Sequence, residues 1–583
     1  MKNADIAAAL DELGDLYELD GAVVYRVIAY RQAAQVVRES PMSVQQLASE
    51  RRLTELPGVG KTLEQKIEAL LEAGEIPAAA KLKQKFPGEL VEYMRIPGLG
   101  AKTARKIHDQ LGIATLAQLR EAAEGQQLRE IAGLGPKAEQ NILAALRKRP
   151  RAGSPKRRLL SDVLEIADEI LEELRVHPAA ERVEIAGSAR RMADTCKDLD
   201  IVATSRDAAA LTRAFTELEI VAETKASGEA GAKILTHNGL SVDFRVVAPE
   251  QFGNVLQHLT GSKRHNVELR EYAVQRGQHV SEYGIEDERS GRTDACATEQ
   301  DVYGLLGLDY IEPELREGRG ELEAALDHTL PALIEGSDIK GDLHSHTTLS
   351  DGRATLAQMA EAARKRGYRY FAITDHSASF GFGDDVQPGT LRRRIAEIRK
   401  RNSASKGFRL LAGSEVNIHP DGSLDYDDEL LGELDWVVAS VHSSFRMSER
   451  RMTERIMAAM DSPYVDAIGH PTGRLLLRRE PYRLDIERLV EHAATTGTML
   501  EINANPNRRD LSDLQARLAA EAGAILAISS DAHRTETLDV MRYGIATARR
   551  AWLGPAQIAN TRSWRELSKL RKRTRKRVRK ATR

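Results

Sequence analysis

Two sets of residues in this sequence have the types and spacing to perform phosphate chemistry with metal ions. The first closes a series of short apolar runs: "KGDLHSH", "YFAITDH", "RLLAGSE", "DWVVASVH", "VDAIGH", "TMLEINAN" and "AILAISSDAH". It supplies His344, His346, Asp351, His376, Glu415, His442, His470, Asp531 and His533. One such histidine alone is more often a hydrogen-bonded structural residue than a ligand. Nine imidazoles and carboxylates at the ends of apolar runs are a metal-binding set. Without thiolate they suit Mn²⁺, Zn²⁺ or Fe²⁺. Nine donors exceed the coordination of one ion, so two or three ions are expected, bridged by the carboxylate of Glu415.

The second set is Asp198, Asp200 and Asp243. Asp198 and Asp200 are two apart in "KDLDIVAT", and Asp243 lies in the apolar run "GLSVDFRVVAP". Three acids brought together in apolar surroundings repel one another unless cations join them. Two Mg²⁺ or Mn²⁺ ions held by such a trio suit in-line phosphoryl transfer. Eleven residues before Asp198, Gly187 and Ser188 open a short helix whose amides, with Arg191, can hold a triphosphate.

The elements that must position these groups follow from periodicity. A strand through 198–205 points Asp198 and Asp200 to one face. The histidine- and acid-ended runs recur about every thirty residues with amphipathic stretches between them, the length of a βα unit. Seven such units predict a parallel barrel with its active site at the strand C-terminal ends. Arg446, Arg474, Arg508 and Arg509 follow strand ends and are expected to hold phosphates. The first 150 residues read as helical and carry "LPGVGKTLEQKI", "IPGLGAKTARKI" and "IAGLGPKAEQNI". Each is an apolar residue, a Gly-x-Gly turn (Gly58 and Gly60, Gly98 and Gly100, Gly133 and Gly135) and a helix start. Glycine lets a backbone approach closely, and the amides of the following helix can face a phosphate.

These motifs carry resemblances. The Gly-x-Gly repeats resemble the helix-hairpin-helix of DNA repair proteins. Residues 1–88, with "AYRQAAQVV", resemble the lyase domain of family X DNA polymerases, and Lys66 matches its Schiff-base lysine. Arg26 and Thr62 stand at supporting lysine positions of that family, so a solvated helix lysine is the simpler reading of Lys66. Gly-Ser followed by Asp-x-Asp and a later strand aspartate is similar to the nucleotidyltransferases of the polymerase-β type. "PEQFGNVLQHLTGSKRHNVELREYA" resembles the thumb of family X polymerases. That match implies Thr260 and Gly261 beside the incoming sugar, Asn266 at the base minor-groove edge and Arg270 along the template. His258 and Leu259 stand where the family usually has Tyr-Phe, and Lys197 where many relatives have glycine. The nine ligand candidates match the polymerase and histidinol phosphatase (PHP) superfamily, whose members hydrolyse phosphate esters with metal-activated water.

The resulting expectation is a multidomain α/β protein with an all-α helix-hairpin-helix N-terminal region, a nucleotidyltransferase α+β palm and thumb, and a distorted (β/α)7 PHP barrel. The expected domains are 1–88 lyase-like, 89–150 fingers, 151–248 palm, 249–316 thumb, 317–338 linker, 339–570 PHP and 571–583 a basic tail. The order resembles bacterial family X DNA polymerases. It implies a monomeric gap-filling polymerase of base excision or end repair, acting on gapped or nicked DNA with dNTPs, plus a manganese-dependent 3′–5′ exonuclease, with 3′-end or abasic-site cleavage in some relatives. The alternatives are a repair nuclease whose polymerase half positions DNA and a small-molecule phosphatase of the histidinol phosphatase type. Net charge of −2 over 583 residues hides the basic tail "RKRTRKRVRKATR", a phosphate-binding arm. Two cysteines exclude a disulfide scaffold and suit a reducing bacterial cytoplasm, and no run is apolar enough to span a membrane.

Overall fold

A computed structural model describes the chain except residues 2, 41, 87, 95, 97–98, 132, 148–156, 380–385, 573 and 575–583. Gly98, most of the basic connector before residue 157 and most of the basic tail therefore lie outside the described residues. The chain divides into two compact units. One comprises Met1–Lys156, Glu165–Glu184 and Lys197–Val247, the other Arg157–Leu164, Ile185–Cys196 and Ala248–Arg583.

In the first unit the N-terminal region is helical because its apolar residues recur at helical spacing. The helix Lys61–Ala73 buries Leu63, Ile67 and Leu70 along one stripe and stops at Gly74, whose φ of +76° ends it in a left-handed cap. Ala101–Leu111 repeats the design with Ala101, Ala104 and Ile107 inward and Gly112 at the end. The same unit carries a five-stranded sheet in the order Ala180–Ile185, Asp198–Ser205, Ser241–Val247, Gly231–Thr236, Val221–Gly228. Along Ser241–Val247 buried and half-buried residues alternate, so Val242, Phe244 and Val246 enter the core while Asp243 and Arg245 face the other side. The helix Ala208–Thr216 covers the apolar face, with the Phe215 ring 4.7 Å from that of Phe244. The opposite face is left to the carboxylates.

The second unit contains the helices Phe252–Thr260, Lys263–Gln275 and Glu299–Leu305, and the barrel. The barrel has seven parallel strands ordered as in the sequence: Gly341–Asp342, Tyr370–Ile373, Arg409–Asn417, Trp436–Ser440, Ala467–Ile468, Met499–Asn503 and Leu526–Ser529. Their residues are buried on both faces almost throughout, as expected of strands wrapped by helices. The first and last strands meet just beyond their C-terminal ends. There Ser345 bridges Ala532, and the Asp531 amide donates to the His344 carbonyl at 3.0 Å. The barrel is thereby nearly closed. Both cysteines, Cys196 and Cys296, are buried free thiols, and among the described residues no helix is long and apolar enough to cross a membrane.

Candidate metal centres and DNA-binding turns

The parallel register of Asp198–Ser205 against Ser241–Val247 sets Asp200 directly beside Asp243 and Asp198 beside Ser241. The strand period adds Asp198 to the same face, so the three carboxylates share one surface. Two cations stand near Asp243, Lys233 at 3.8 Å and Arg245 at 3.7 Å. Burial, then the charges of Asp198 and Asp243, push the Asp200 carboxyl up from 3.8 to about 6. A raised carboxyl pKa stabilises the fold on its acid side, and that contribution is lost as pH rises through about 6. In metal-free protein Asp200→Asn is therefore expected to be the more stable form near pH 7 and to lose that advantage towards about pH 5. Thermal unfolding of both proteins at the two pH values measures it.

The nine residues at the barrel rim converge. His346, Asp351, His376 and His533 form one group, His344, His346 and Asp531 a second, His376, Glu415 and His442 a third, with ligand atoms inside each within 4.8 Å of one another. His470 joins through Nε2, 3.0 Å from Glu415 Oε1. Glu415 is central: Oε1 faces His442 (3.3 Å) and His470, while Oε2 faces His376 (2.9 Å), His344 (3.5 Å) and His346 (3.6 Å). Both ring nitrogens of His346, Nε2 of His344 and Nδ1 of His470 are buried without a hydrogen-bond partner. Buried imidazole nitrogens left unpaired beside ionised carboxylates are what a cation would satisfy, so the donor set fits metal ions. Burial opposes charge on His344 and His376, but carboxylates override it. Glu501, Glu415 and Asp531 hold His344 well above 6.5, and Glu415 with Asp351 lifts His376 to about 9. Burial, with His533 and His376 alongside, drops His346 to about 3.

Groups that the sequence did not single out aim these ligands. Glu501 Oε1 accepts from His344 Nδ1 at 2.7 Å, which turns His344 Nε2 to the centre. Its other oxygen accepts the His470 amide at 2.6 Å. Asn503 joins Glu501 to Asp531, both at 3.1 Å, and Asn417 Oδ1 lies 2.6 Å from His442 Nδ1. His470 and Asp531 hold left-handed backbone angles, φ +28° and +54°, a strain maintained by this scaffold. Gly469 is required beside them, since a Cβ there would lie 2.4 Å from Ser440 Oγ.

The arginines divide otherwise than the sequence suggests. Arg508 Nε is 3.9 Å from Asp531 and Arg446 is exposed. Arg474 and Arg509 do not serve as free phosphate grips: both reach Asp194, at 3.0 and 3.2 Å. A buried guanidinium needs an acid, and Arg509 is wholly buried.

In the turn, Gly187 has φ +64° and the helix Gly187–Arg190 follows. Arg191 is engaged already, with Nε on Glu317 at 3.1 Å and Nη1 on the Thr260 carbonyl, so a triphosphate would have to compete for it. Thr260 is buried and its hydroxyl accepts from Arg190 at 2.8 Å, and Gly261 continues it at φ +66°. Asn266 donates to the His258 carbonyl at 2.7 Å, and Arg270 lies 3.0 Å from His258 Nδ1.

In the helical region Gly58 and Gly133 take φ of +80° and +100°, which only glycine adopts at low cost. Gly60 and Gly100 are extended residues capping the next helices. A Cβ on Gly58, Gly60, Gly100, Gly133 or Gly135 would meet nothing within 4 Å. These glycines therefore do not serve helix–helix packing; they leave backbone open at the surface. Lys66 is half-buried on Lys61–Ala73, and the Arg26 guanidinium sits 5.3 Å over the Tyr17 ring.

Known families match along the chain: a helix-hairpin-helix domain at residues 1–76, a SAM-like helix-hairpin-helix tandem at 90–148, the DNA polymerase beta thumb at 255–317 and the PHP domain at 342–505. The DNA polymerase/3′-5′ exonuclease PolX of Bacillus subtilis is 38% identical over 575 residues, covering 98% of this chain and 100% of that protein. A probable phosphatase of Caldanaerobacter subterraneus is 33% identical over 204 residues, 33% of this chain and 75% of its own length. One of Syntrophotalea carbinolica is 29% identical over 230 residues, 38% of this chain and 90% of its own length. The similarity to PolX runs from end to end, and the chain belongs to the bacterial family X DNA polymerases that carry a PHP domain.

Proposed function

We propose that this protein is a DNA-directed DNA polymerase that fills gaps in base excision or end repair, and that its barrel is a metal-dependent 3′–5′ exonuclease. What supports the reading is that a chain similar throughout to a polymerase/exonuclease has three aspartates on one sheet face and a cluster of histidines and acids with metal-compatible spacing at the barrel rim. Asp198, Asp200 and Asp243 would hold Mg²⁺ or Mn²⁺, and the nine rim residues two or three Mn²⁺, Zn²⁺ or Fe²⁺ ions bridged by Glu415. Bound metal supplies charge neutralisation at the phosphoryl group and activation of the attacking oxygen. The protein's part is to hold the carboxylates on one sheet face, to aim His344 through Glu501, and to offer Thr260, Gly261, Asn266 and His258 to a dNTP and Arg270 to the template. Because Asp200 takes a proton near pH 6, the Mg²⁺ concentration needed for extension should rise as pH falls below that value.

The open Gly-x-Gly turns are read as phosphate cradles for gapped or nicked DNA. Replacing Gly60, Gly100 and Gly135 together by alanine should leave thermal stability unchanged or slightly raised, since none needs positive φ or meets a neighbour. Affinity for gapped duplex should fall about tenfold, an effect of lost backbone approach. Equilibrium binding beside thermal unfolding checks both halves.

The reading extends to a monomer in the bacterial cytoplasm. Its direct test is a one-nucleotide-gapped duplex offered with dNTPs and Mg²⁺ or Mn²⁺, scored for both extension and 3′ trimming. Trimming without extension would favour a repair nuclease whose polymerase half positions DNA. Faster turnover of histidinol phosphate than of DNA ends would favour the phosphatase, the activity named for the shorter relatives.

A further inference from the structure

We propose that Asp194 is a positioning residue for nucleotide binding, through which the barrel arginines Arg474 and Arg509 hold the Gly187–Cys196 turn in its working shape. The inference rests on the polymerase reading above and deepens it, because it places part of the nucleotide site's support in the PHP barrel.

The turn is not self-supporting. Met192 has φ +54°, a left-handed angle that a non-glycine residue keeps only when held. Its carbonyl accepts Arg509 Nη1 at 2.9 Å. Two residues on, Asp194 forms ion pairs with both arginines, Oδ1 lying 3.2 Å from Arg509 Nη1 and Oδ2 3.0 Å from Arg474 Nη2. One residue before Met192, the Arg191 carbonyl accepts Arg550 Nη1 at 2.6 Å, and the same nitrogen reaches Glu317 at 2.9 Å. Three guanidiniums of the barrel therefore grip residues 191, 192 and 194. The grip passes to the front of the turn, where the Ala193 amide donates to the Ser188 carbonyl at 3.0 Å.

The bracket itself is built to stay put. Arg509 is fully buried, spends Nε on Thr547 Oγ1 at 3.0 Å, and offers its own carbonyl to Arg474. Arg474 lies four residues past His470, and between them the Thr472 amide donates to buried Asp510 at 3.1 and 3.2 Å. Asp194 is the acid between Arg474 and Arg509. Without it buried Arg509 and half-buried Arg474 face each other as like charges, and the natural relief is a shift of the arginines or of the turn. Either movement carries Ser188 and the amides behind it away from where a triphosphate would be met. A cradle for the triphosphate tail that moves loses binding shared by ground state and transition state, which reads as a raised KM with kcat kept.

The test is steady-state filling of a one-nucleotide gap by the full-length protein with the dNTP concentration varied. Asp194→Ala and Arg474→Ala should each raise the dNTP KM about tenfold, with kcat at saturating dNTP kept within about threefold. The double variant should be no worse than the poorer single one, since both remove the same link. Arg474→Lys, which keeps the cation but loses the fork, should fall between wild type and Arg474→Ala, and guards against a variant that simply fails to fold. A dNTP KM within about twofold of wild type in both alanine variants would overturn the proposal. So would a parallel fall of kcat and thermal midpoint with KM unmoved, which marks a staple of the fold alone. A wild-type protein unable to fill the gap would sink the polymerase reading itself, a result distinct from a competent wild type whose variants bind dNTP equally well.

Discussion

Asp200→Ala is expected to abolish gap filling, by about 10³-fold or more, while 3′ trimming continues at the wild-type rate. Asp200 is the middle member of its trio, paired across the strands with Asp243 and two residues from Asp198. It is also the member that burial and its neighbours force up to about 6, the mark of a carboxylate placed where only a cation makes its charge tolerable. Alanine removes the repulsion along with the ligand, so the variant should fold at least as well as the parent. Loss of activity then reports lost phosphoryl-transfer machinery rather than lost structure. Primer extension and trimming on the same gapped substrate give both rates, and unchanged extension would defeat the assignment of the trio.

Glu415→Gln should do the converse. It is expected to strip the barrel of metal and to cut 3′ trimming by about 10³-fold, with extension retained. Five histidines address the two oxygens of Glu415, three on one and two on the other. Gln keeps the volume but not the charge, and presents an N–H where one set of imidazoles needs an acceptor. The charge also supports the protonation of His344 and His376, so both should titrate lower in the metal-free variant. Metal content of the purified protein and trimming in Mn²⁺ decide it. Full metal occupancy in the variant would rule out the bridging role.

The two candidate metal-binding sets were legible because each obeys a local period. Strand alternation put Asp198 and Asp200 on one face, and the thirty-residue rhythm of the barrel put a histidine or an acid at successive strand ends. Glu501 was hidden in "TMLEINAN", where one glutamate in an apolar strand looks like any other. Its role depends on His344, 157 positions earlier, and nothing local records that. Two of the four arginines departed from expectation for the same reason. An arginine after a strand end suggests a phosphate, but Arg474 and Arg509 answer Asp194, some three hundred residues away. The grouping of Ile185–Cys196 with the barrel and thumb rather than with the sheet strands around it was equally unreadable, because contacts of that range leave no spacing behind.

The nearly closed barrel also says something about the order in which this half of the molecule can be made. Its first and last strands are joined at Ser345 and Ala532, a contact that cannot form until every intervening strand has been laid down. Contacts of such sequence separation are the slowest to form, because loop-closure entropy must be met first. His344 and His346 come from one side of that seam and Asp531 and His533 from the other. A metal ion held by residues from both sides would act as a clasp across that joint, so that ions bound for hydrolysis would also keep the ring from reopening.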